Sequence, residues 1–252
     1  MEFTVDSLHR AGQFIPTINT NTTLAFLGTD NQELYESNLK SQPLDWHYRS
    51  KPISYKFNSN GYRAMEWDQY DWSSSIVLFG CSRVFGVGVA EDETIDYYLN
   101  KLTGRPVINL GMGSSSCWVS YHNSQLLYLH WPRPYAVVQL WTETTRLVDY
   151  RMKRIAHLGA WNTFNDALYF EWNKFDVNAD MHVKSITTSD EIMWSNTDTK
   201  YLSYSMFKST FRSTGREMLP LSECPKSDLG RDLMHHGSAT NQFISDFISF
   251  QI

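Results

Sequence analysis

A serine, an aspartate and a histidine of this chain have the types and settings that acyl transfer needs. Ser82 comes just after the apolar run Ile76-Val-Leu-Phe and a glycine, Gly80. Asp232 and His235 lie three residues apart, far downstream of the serine. A serine just past a buried strand acts as a nucleophile when a histidine takes its proton and an acid orients that histidine. The three residues therefore predict a Ser-His-Asp triad that the fold must assemble from distant parts of the chain.

Each of these residues also has an ordinary structural interpretation. Ser82 would cap the helix that follows the strand, since serine is common at such junctions. Asp232 would be a surface charge, and His235 the first residue of a helix. The Asp-x-x-His spacing favours catalysis, because one loop then supplies both the base and its orienting acid. The neighbouring Cys81 is predicted to be a small buried residue that points away from Ser82.

The elements that must position the triad alternate between strand and helix. Strands are predicted over residues 76–79, 107–110 and 135–141, and helices over residues 91–102 and 115–130. The first strand is continuously apolar, as in a strand that is buried on both faces. This order predicts a parallel sheet with right-handed crossovers. The loops that follow the strands then meet at one edge of the sheet, where ligands of such sheets bind.

Other segments are less regular. Residues 217–221 are the best candidate for a fourth strand. A last helix is predicted from Ser238, as its N-cap, to Phe250, with a buried stripe of four apolar residues: Phe243, Ile244, Phe247 and Ile248. Residues 1–73, rich in Asn, Thr and Ser, predict an irregular β-rich extension that packs on the main domain or on a neighbouring subunit. Residues 74–252 form the predicted α/β domain.

Two blocks, in this order, resemble the SGNH or GDSL-type hydrolase family. They are Gly80-Cys81-Ser82 after the first strand and Asp232-Leu-Met-His235 before the last helix. The segment Asn58–Arg63 is similar to one that precedes the nucleophile strand in some SGNH-like proteins. The resemblance implies a three-layer α/β/α fold with a central parallel sheet of the flavodoxin-like type. It also implies that Ser82 is the nucleophile, His235 the general base and acid, and Asp232 the orienting acid.

The same resemblance indicates which groups hold the oxyanion. In the family these are the serine N–H, a glycine N–H of a second block and an asparagine side chain of a third. The second block here is similar, and Gly113 or Ser114 would present the N–H. In the third block Glu143 takes the place of the asparagine, and a carboxylate donates no hydrogen bond. A hydroxyl of Thr142 or Thr144, or a protonated Glu143, would have to substitute.

Composition excludes several other classes of function. The chain of 252 residues is 42% hydrophobic and 19% charged, which is typical of a globular protein. A formal net charge of −5 without a basic run excludes nucleic acid as the expected partner. The sequence has no apolar stretch of membrane-spanning length and no basic leader, so we expect an intracellular or virion-associated protein without signal peptide or transmembrane segment.

Metal and disulfide chemistry are not expected either. The three cysteines form neither a disulfide framework nor the paired spacing of a zinc site. Adjacent histidines, His235 and His236, lack the further ligands that a metal ion needs. The triad chemistry requires no cofactor.

We therefore expect a serine esterase that acts on O-acyl esters of a small molecule or glycan. The aromatic content of 15% favours acetylated carbohydrate, although most aromatic residues are expected in the core or in a homo-oligomer interface formed by the extension. Arg83 and Arg146 border the predicted cleft, where they would steer an anionic substrate, pair with Glu143 or serve the structure. Two alternatives stay open. One is a structural or binding protein, such as a virion or fibre component, that keeps the fold with weak or no catalysis; the other is an acyltransferase.

Overall fold

A computed structural model describes residues 13–15, 19–149, 156–159 and 176–252 of the protein. The strands of this part of the chain are β1 (Thr23–Leu24), β2 (Tyr55–Lys56), β3 (Ile76–Phe79), β4 (Val107–Asn109), β5 (Ala136–Trp141), β6 (Leu147–Asp149), β7 (Ala156–Leu158) and β8 (Lys200–Ser205). The helices are α1 (Gln32–Ser41), α2 (Ser82–Phe85), α3 (Ile95–Thr103), α4 (Cys117–His130), α5 (Asp176–Ser195), α6 (Lys208–Thr214) and α7 (Ser238–Ser249).

The central sheet has four parallel strands in the order β4-β3-β5-β8. Along the chain these are the second, first, third and fourth strands of the sheet, which is the flavodoxin-like order. The topological switch point of this order lies between its first and third strands, here β3 and β5, and ligands bind beyond the carboxyl ends of the strands there. Ser82 follows β3 and therefore lies at that position.

Helices cover both faces of the sheet. Alternate residues of β3 point to opposite faces and pack against different helices. Ile76 and Leu78 share one core cluster with α3 and α7. Val77 and Phe79 share another with α4 and with Trp194 of α5. All four β3 residues have no exposed surface. The predicted three-layer α/β/α fold is thus confirmed, as are the three strands on which the prediction depended.

The predicted fourth strand is wrong. The sheet continues with β8, and residues 217–221 contribute only an isolated bridge between Met218 and Ser205. The reason is that β8 lies at the edge of the regular sheet and reads Lys-Tyr-Leu-Ser-Tyr-Ser. An edge strand lacks the continuous apolar run that marks an interior strand of a parallel sheet.

Two of the helix starts that differ from the prediction have a clear physical cause. The helix predicted from residue 91 starts as a 3-10 turn, and α3 itself begins after Thr94, whose hydroxyl accepts the Tyr97 N–H. Ser238 is the first residue of α7 rather than its N-cap, which is Gly237. The free N–H groups of α7 are satisfied from further away: the carboxylate of Asp228 accepts from Ala239 and Thr240 at 3.3 and 2.6 Å. The predicted apolar stripe of α7 is confirmed at Ile244 and Ile248, which are buried.

The described part of the N-terminal segment contains the antiparallel pair β1 and β2 and the helix α1. It is tied to the rest of the chain by a buried ion pair, in which Arg231 donates to Asp30 through Nε at 2.8 Å and Nη2 at 2.6 Å. Both residues are at most 5% exposed. The division of the chain at residue 73, and an oligomer formed through this segment, stay predictions.

Many aromatic side chains of the described residues fill the core. Trp141 and Trp194 are completely buried, and Phe14 packs against the rings of Trp72 and Trp131, which also contact each other. Within the described ranges, no helix is long and apolar enough to cross a membrane.

Candidate active site

Ser82 is placed by a tight connection between β3 and α2. A side chain at Gly80 would lie 2.4 Å from a methyl group of Val84 and 3.0 Å from the carbonyl oxygen of Leu140. Glycine therefore allows α2 to fold back closely onto the end of the strand. Cys81 caps α2 and is completely buried, as predicted, and Ser82 is the first helical residue. The serine side chain thus stands at the carboxyl edge of the sheet.

The structure brings the three predicted triad residues together. Ser82 Oγ lies 2.8 Å from Nε2 of His235. Nδ1 of His235 lies 2.6 Å from Oδ2 of Asp232. With its proton on Nδ1, the imidazole donates to the carboxylate and leaves Nε2 to accept the serine proton. This is the geometry of a nucleophile, a base and an orienting acid.

Asp232 is almost completely buried and fully hydrogen-bonded. Its Oδ1 accepts the backbone N–H groups of Met234 and His235 at 3.0 and 3.1 Å. Its Oδ2 accepts from Thr29 Oγ1 at 2.6 Å in addition to the imidazole. Burial raises the pKa of this carboxyl, but the hydrogen bonds and the charge of His235 outweigh burial and lower the pKa to about 2. Asp232 is therefore ionised at neutral pH and stabilises a proton on His235.

The loop that carries Asp232 and His235 is a strained turn held by a neighbouring glycine. Leu233 has a left-handed backbone, with φ at 56°. The carbonyl oxygen of Gly88 accepts the Arg231 N–H at 2.7 Å. Gly88 itself has φ at +81°, and a side chain there would lie 2.9 Å from Asp232 Oδ1. Only glycine combines this backbone with so close an approach to the carboxylate.

Thr29 is a site residue that sequence reasoning missed. It is exposed, and its hydroxyl lies 2.6 Å from Asp232 Oδ2 and 3.5 Å from His235 Nδ1. The next residue, Asp30, is fixed by Arg231 and by the hydroxyl of Tyr55 at 2.5 Å. No sequence signal marks Thr29, because the contact joins positions that are 203 residues apart.

Arg63 fixes a loop next to Asp232 through hydrogen bonds to its backbone. It is buried, and it donates to the carbonyl oxygens of Gly86 at 2.7 Å, Val89 at 3.1 Å and Ser54 at 3.2 Å. These bonds fix the loop that contains Gly88. The segment Asn58–Arg63, singled out in the sequence, therefore has a structural role next to the loop that carries Asp232 and His235.

The predicted oxyanion residues lie on the loops after β4 and β5, at the same edge of the sheet as Ser82. The loop after β4 is tied to Gly80 by the Met112 N–H at 3.1 Å and by Ser115 Oγ at 3.0 Å. Within it, Ser114 has a left-handed backbone with φ at 61°, and the space beside Gly113 is open. None of the described hydrogen bonds joins either residue to the triad. Their role as oxyanion donors stays a prediction.

The hydrogen bonds described for Thr142 and Glu143, in the third block, go to groups outside the triad. Glu143 accepts from Arg146 Nε at 3.1 Å. Thr142 is buried, and its hydroxyl has no hydrogen-bond partner among the described residues. Its carbonyl oxygen accepts from Thr210 and from the thiol of Cys117. The described hydrogen bonds join neither Thr142 nor Glu143 to the triad.

A second pair of side chains runs beside the triad. Arg83 donates through Nη1 to Nε2 of His236, and its guanidinium lies 4.7 Å from the centre of the Phe207 ring. Burial, followed by the charges of Arg83 and His235, lowers the pKa of His236 to about 3, so this imidazole is neutral. Across the described ranges, no group of three or more His, Cys, Asp or Glu side chains is arranged to hold a metal ion.

No family model and no curated protein matches the sequence. Solved structures do match it, among them a protein ascribed to the G-D-S-L lipolytic family from Desulfitobacterium hafniense, with 11% identity and a TM-score of 0.44 over 71% of this chain and 100% of that one. The acetyl xylan esterase of Butyrivibrio proteoclasticus has 10% identity and a TM-score of 0.44 over 71% and 63%. A protein ascribed to the GDSL-like lipases of Bacteroides ovatus has 10% identity and a TM-score of 0.36 over 70% and 52%. Proteins ascribed to the G-D-S-L type are therefore among the solved structures to which this chain is similar.

Proposed function

We propose that the protein is a serine ester hydrolase of the SGNH type. The observation that carries the proposal is the continuous hydrogen-bonded chain from Ser82 Oγ through His235 to Asp232, at 2.8 and 2.6 Å. Such a chain at the switch point of a parallel sheet is the arrangement that activates a serine for acyl transfer.

In the proposed reaction, Ser82 Oγ attacks the carbonyl carbon of an ester while its proton passes to His235 Nε2. The tetrahedral intermediate collapses, and the same proton passes to the oxygen of the leaving alcohol. Water then attacks the acyl-enzyme while His235 takes its proton. The bond between the acyl carbon and Ser82 Oγ breaks, the acid leaves, and His235 returns the proton to Ser82 Oγ. Asp232 stays ionised, as its low pKa favours, and it stabilises the imidazolium in both steps.

The proposed substrate is a class of esters rather than one compound. O-acyl esters with a small acyl group, such as acetyl esters of carbohydrates, are favoured by the aromatic-rich composition. Activity at the oxyanion requires donors other than Glu143, since an ionised carboxylate has none. Glu143 instead accepts a hydrogen bond from Arg146 Nε at 3.1 Å.

The presence of Glu143 in place of an oxyanion donor favours a second candidate function, a binding or structural protein with little catalysis. The loss of one oxyanion donor costs about a hundred- to a thousand-fold in rate. With Glu143 in the third block, the fold would then be kept for binding or assembly rather than turnover.

Labelling with a fluorophosphonate probe, followed by intact mass and peptide mapping, separates the two functions without a guessed substrate. We expect one label per chain at Ser82, absent in Ser82→Ala and slower by about two to four orders of magnitude in His235→Ala, which lacks the general base. The matched control is His130→Ala, which removes an exposed imidazole at the end of α4. If the wild-type protein stays unlabelled where a reference serine hydrolase reacts, the hydrolase proposal is wrong and the second candidate stands.

A further inference from the structure

Arg83 directly follows Ser82, and its side chain runs beside the triad. Ser82 bonds to His235, and Arg83 bonds to the next residue, His236. Two consecutive residues of α2 thus contact two consecutive residues of the catalytic loop. A group held by Arg83 would therefore lie next to the reacting serine.

No carboxylate of the described residues forms an ion pair with Arg83, although the charges of Glu143 and Asp232 act on it from further away. Its contacts are the neutral imidazole of His236 and the ring of Phe207. Among the residues that the structure describes, no carboxylate pairs with it, and neither its Nε nor its Nη2 has a hydrogen-bond partner. The residue is half-buried, and burial lowers the pKa of its guanidinium. A partly buried charge that has no bonded carboxylate is stabilised when an anion binds to it.

Arg63 and Arg231, which are more deeply buried than Arg83, show the contrast. Arg63 donates to several backbone carbonyl oxygens, and Arg231 forms a two-point ion pair with Asp30. Their buried nitrogens are therefore satisfied within the protein. Toward the described residues Arg83 donates only through Nη1, so its Nε–Nη2 edge, which fits two carboxylate oxygens, is left for a ligand.

Glu143, the nearby carboxylate, does not take this place. Its Oε2 is bonded to Arg146 Nε at 3.1 Å. Arg146 also lies over the Phe207 ring that carries Arg83, at 5.9 Å from its centre. The two guanidinium groups thus share one aromatic platform, and one carboxylate is set against their two positive charges.

We propose that Arg83 forms an anion subsite and that the substrate is an ester of a carboxylate-bearing molecule, such as an acylated acidic sugar. The inference rests on the proposed hydrolase function. The carboxylate would bind the Nε–Nη2 edge of Arg83 while the ester carbonyl meets Ser82. The proposed subsite narrows the expected substrates from esters in general to esters with a negative charge close to the scissile bond.

Matched ester pairs test the subsite. With charge on the acyl side, 4-nitrophenyl hemiglutarate is compared with 4-nitrophenyl butyrate. With charge on the alcohol side, 3-acetoxybenzoate is compared with 3-acetoxybenzamide. We expect one anionic ester to be preferred in kcat/KM by about tenfold or more, the size of a charge-assisted hydrogen bond. Arg83→Gln should abolish this preference, Arg83→Lys should keep part of it, and high salt should weaken it.

The matched control is Arg133→Gln, which removes the same charge from an exposed residue between α4 and β5, at the opposite edge of the sheet. It should leave the preference intact. If the wild-type enzyme hydrolyses the neutral esters without preferring either anionic one, or if Arg83→Gln keeps the preference, the subsite is wrong and the hydrolase stands. If the wild-type protein neither hydrolyses any of the four esters nor reacts with the fluorophosphonate, both proposals are wrong.

Discussion

Replacing Gly88 by alanine tests whether the loop geometry around Asp232 determines activity. The backbone at Gly88 is left-handed, with φ at +81°. The added methyl group would lie 2.9 Å from Asp232 Oδ1 and 3.2 Å from the Arg231 nitrogen. Contacts this short do not persist, so the catalytic loop or the Gly88 loop must move.

Two costs add up in Gly88→Ala. A left-handed alanine costs roughly 1–2 kcal/mol, and overpacking a tight contact costs roughly 1–3 kcal/mol more. We therefore expect the free energy of unfolding to fall by about 2–5 kcal/mol. Activity should suffer as well, since a shift of about 1 Å in a reacting group costs on the order of a hundredfold in rate.

Gly104→Ala is the matched control. Gly104 ends α3 with φ at +68°, and a side chain there meets nothing within 4 Å. This variant should lose only the backbone term, about 1–2 kcal/mol, and keep its activity. The assays are urea unfolding and the second-order rate of fluorophosphonate labelling at Ser82. If folded Gly88→Ala labels within about threefold of Gly104→Ala, well short of the expected hundredfold, the reasoning is refuted.

Two further predictions concern Thr29 and a buried carboxyl in the core. Thr29→Val keeps the shape of the side chain but removes the donor to Asp232 Oδ2, so the labelling rate should fall about tenfold. The control Thr22→Val, at an exposed hydroxyl that bonds to the Asn19 carbonyl, should leave the labelling rate unchanged. An unchanged rate in Thr29→Val would show that the contact with Asp232 is dispensable. Asp190 is completely buried, and burial raises its pKa to about 7 in spite of hydrogen bonds from neighbours that include Tyr201. Its contribution to stability is complete below the unfolded pKa of about 4 and is lost as the pH rises through about 7, so Asp190→Asn should gain up to about 4 kcal/mol over the wild type between about pH 4 and pH 8 in urea unfolding. A difference that does not vary with pH would contradict the raised pKa.

The interior strands were predictable because burial on both faces leaves a local mark in the sequence. β3 and β5 are apolar along nearly their whole length, so a window of a few residues identifies them. The edge strand β8 shows no such run and was missed. The cap of α7 was misplaced for a related reason: its N–H groups are satisfied by Asp228, ten positions before the helix, instead of by the serine at its start.

The triad was predictable because two of its members sit in one short motif and the third follows a strand. The residues around it left no comparable trace. Thr29 contacts Asp232 across 203 positions, and Gly88 is required only because Asp232 approaches it in space. Likewise, only the positions of its neighbours show that no carboxylate of the described residues is bonded to Arg83. Partners of this kind are chosen by tertiary packing, which a single sequence does not encode locally.

The placement of these residues shows that the N-terminal segment is part of the site. The catalytic loop is held on one side by the Gly88 carbonyl, which accepts the Arg231 N–H at 2.7 Å. On the other side it is held by Asp30, which pairs with the Arg231 side chain at 2.6 Å. Thr29, next to Asp30, then reaches the carboxylate of Asp232 itself. Without this segment, Arg231 would lose the carboxylate that pays for its burial, and an unpaired buried charge costs several kcal/mol. The loop would relax to solvate it, and the orientation of His235 toward Ser82 depends on that loop. The arrangement of the triad therefore depends on segments far apart in the chain, although the Asp-x-x-His motif that predicts it is four residues long.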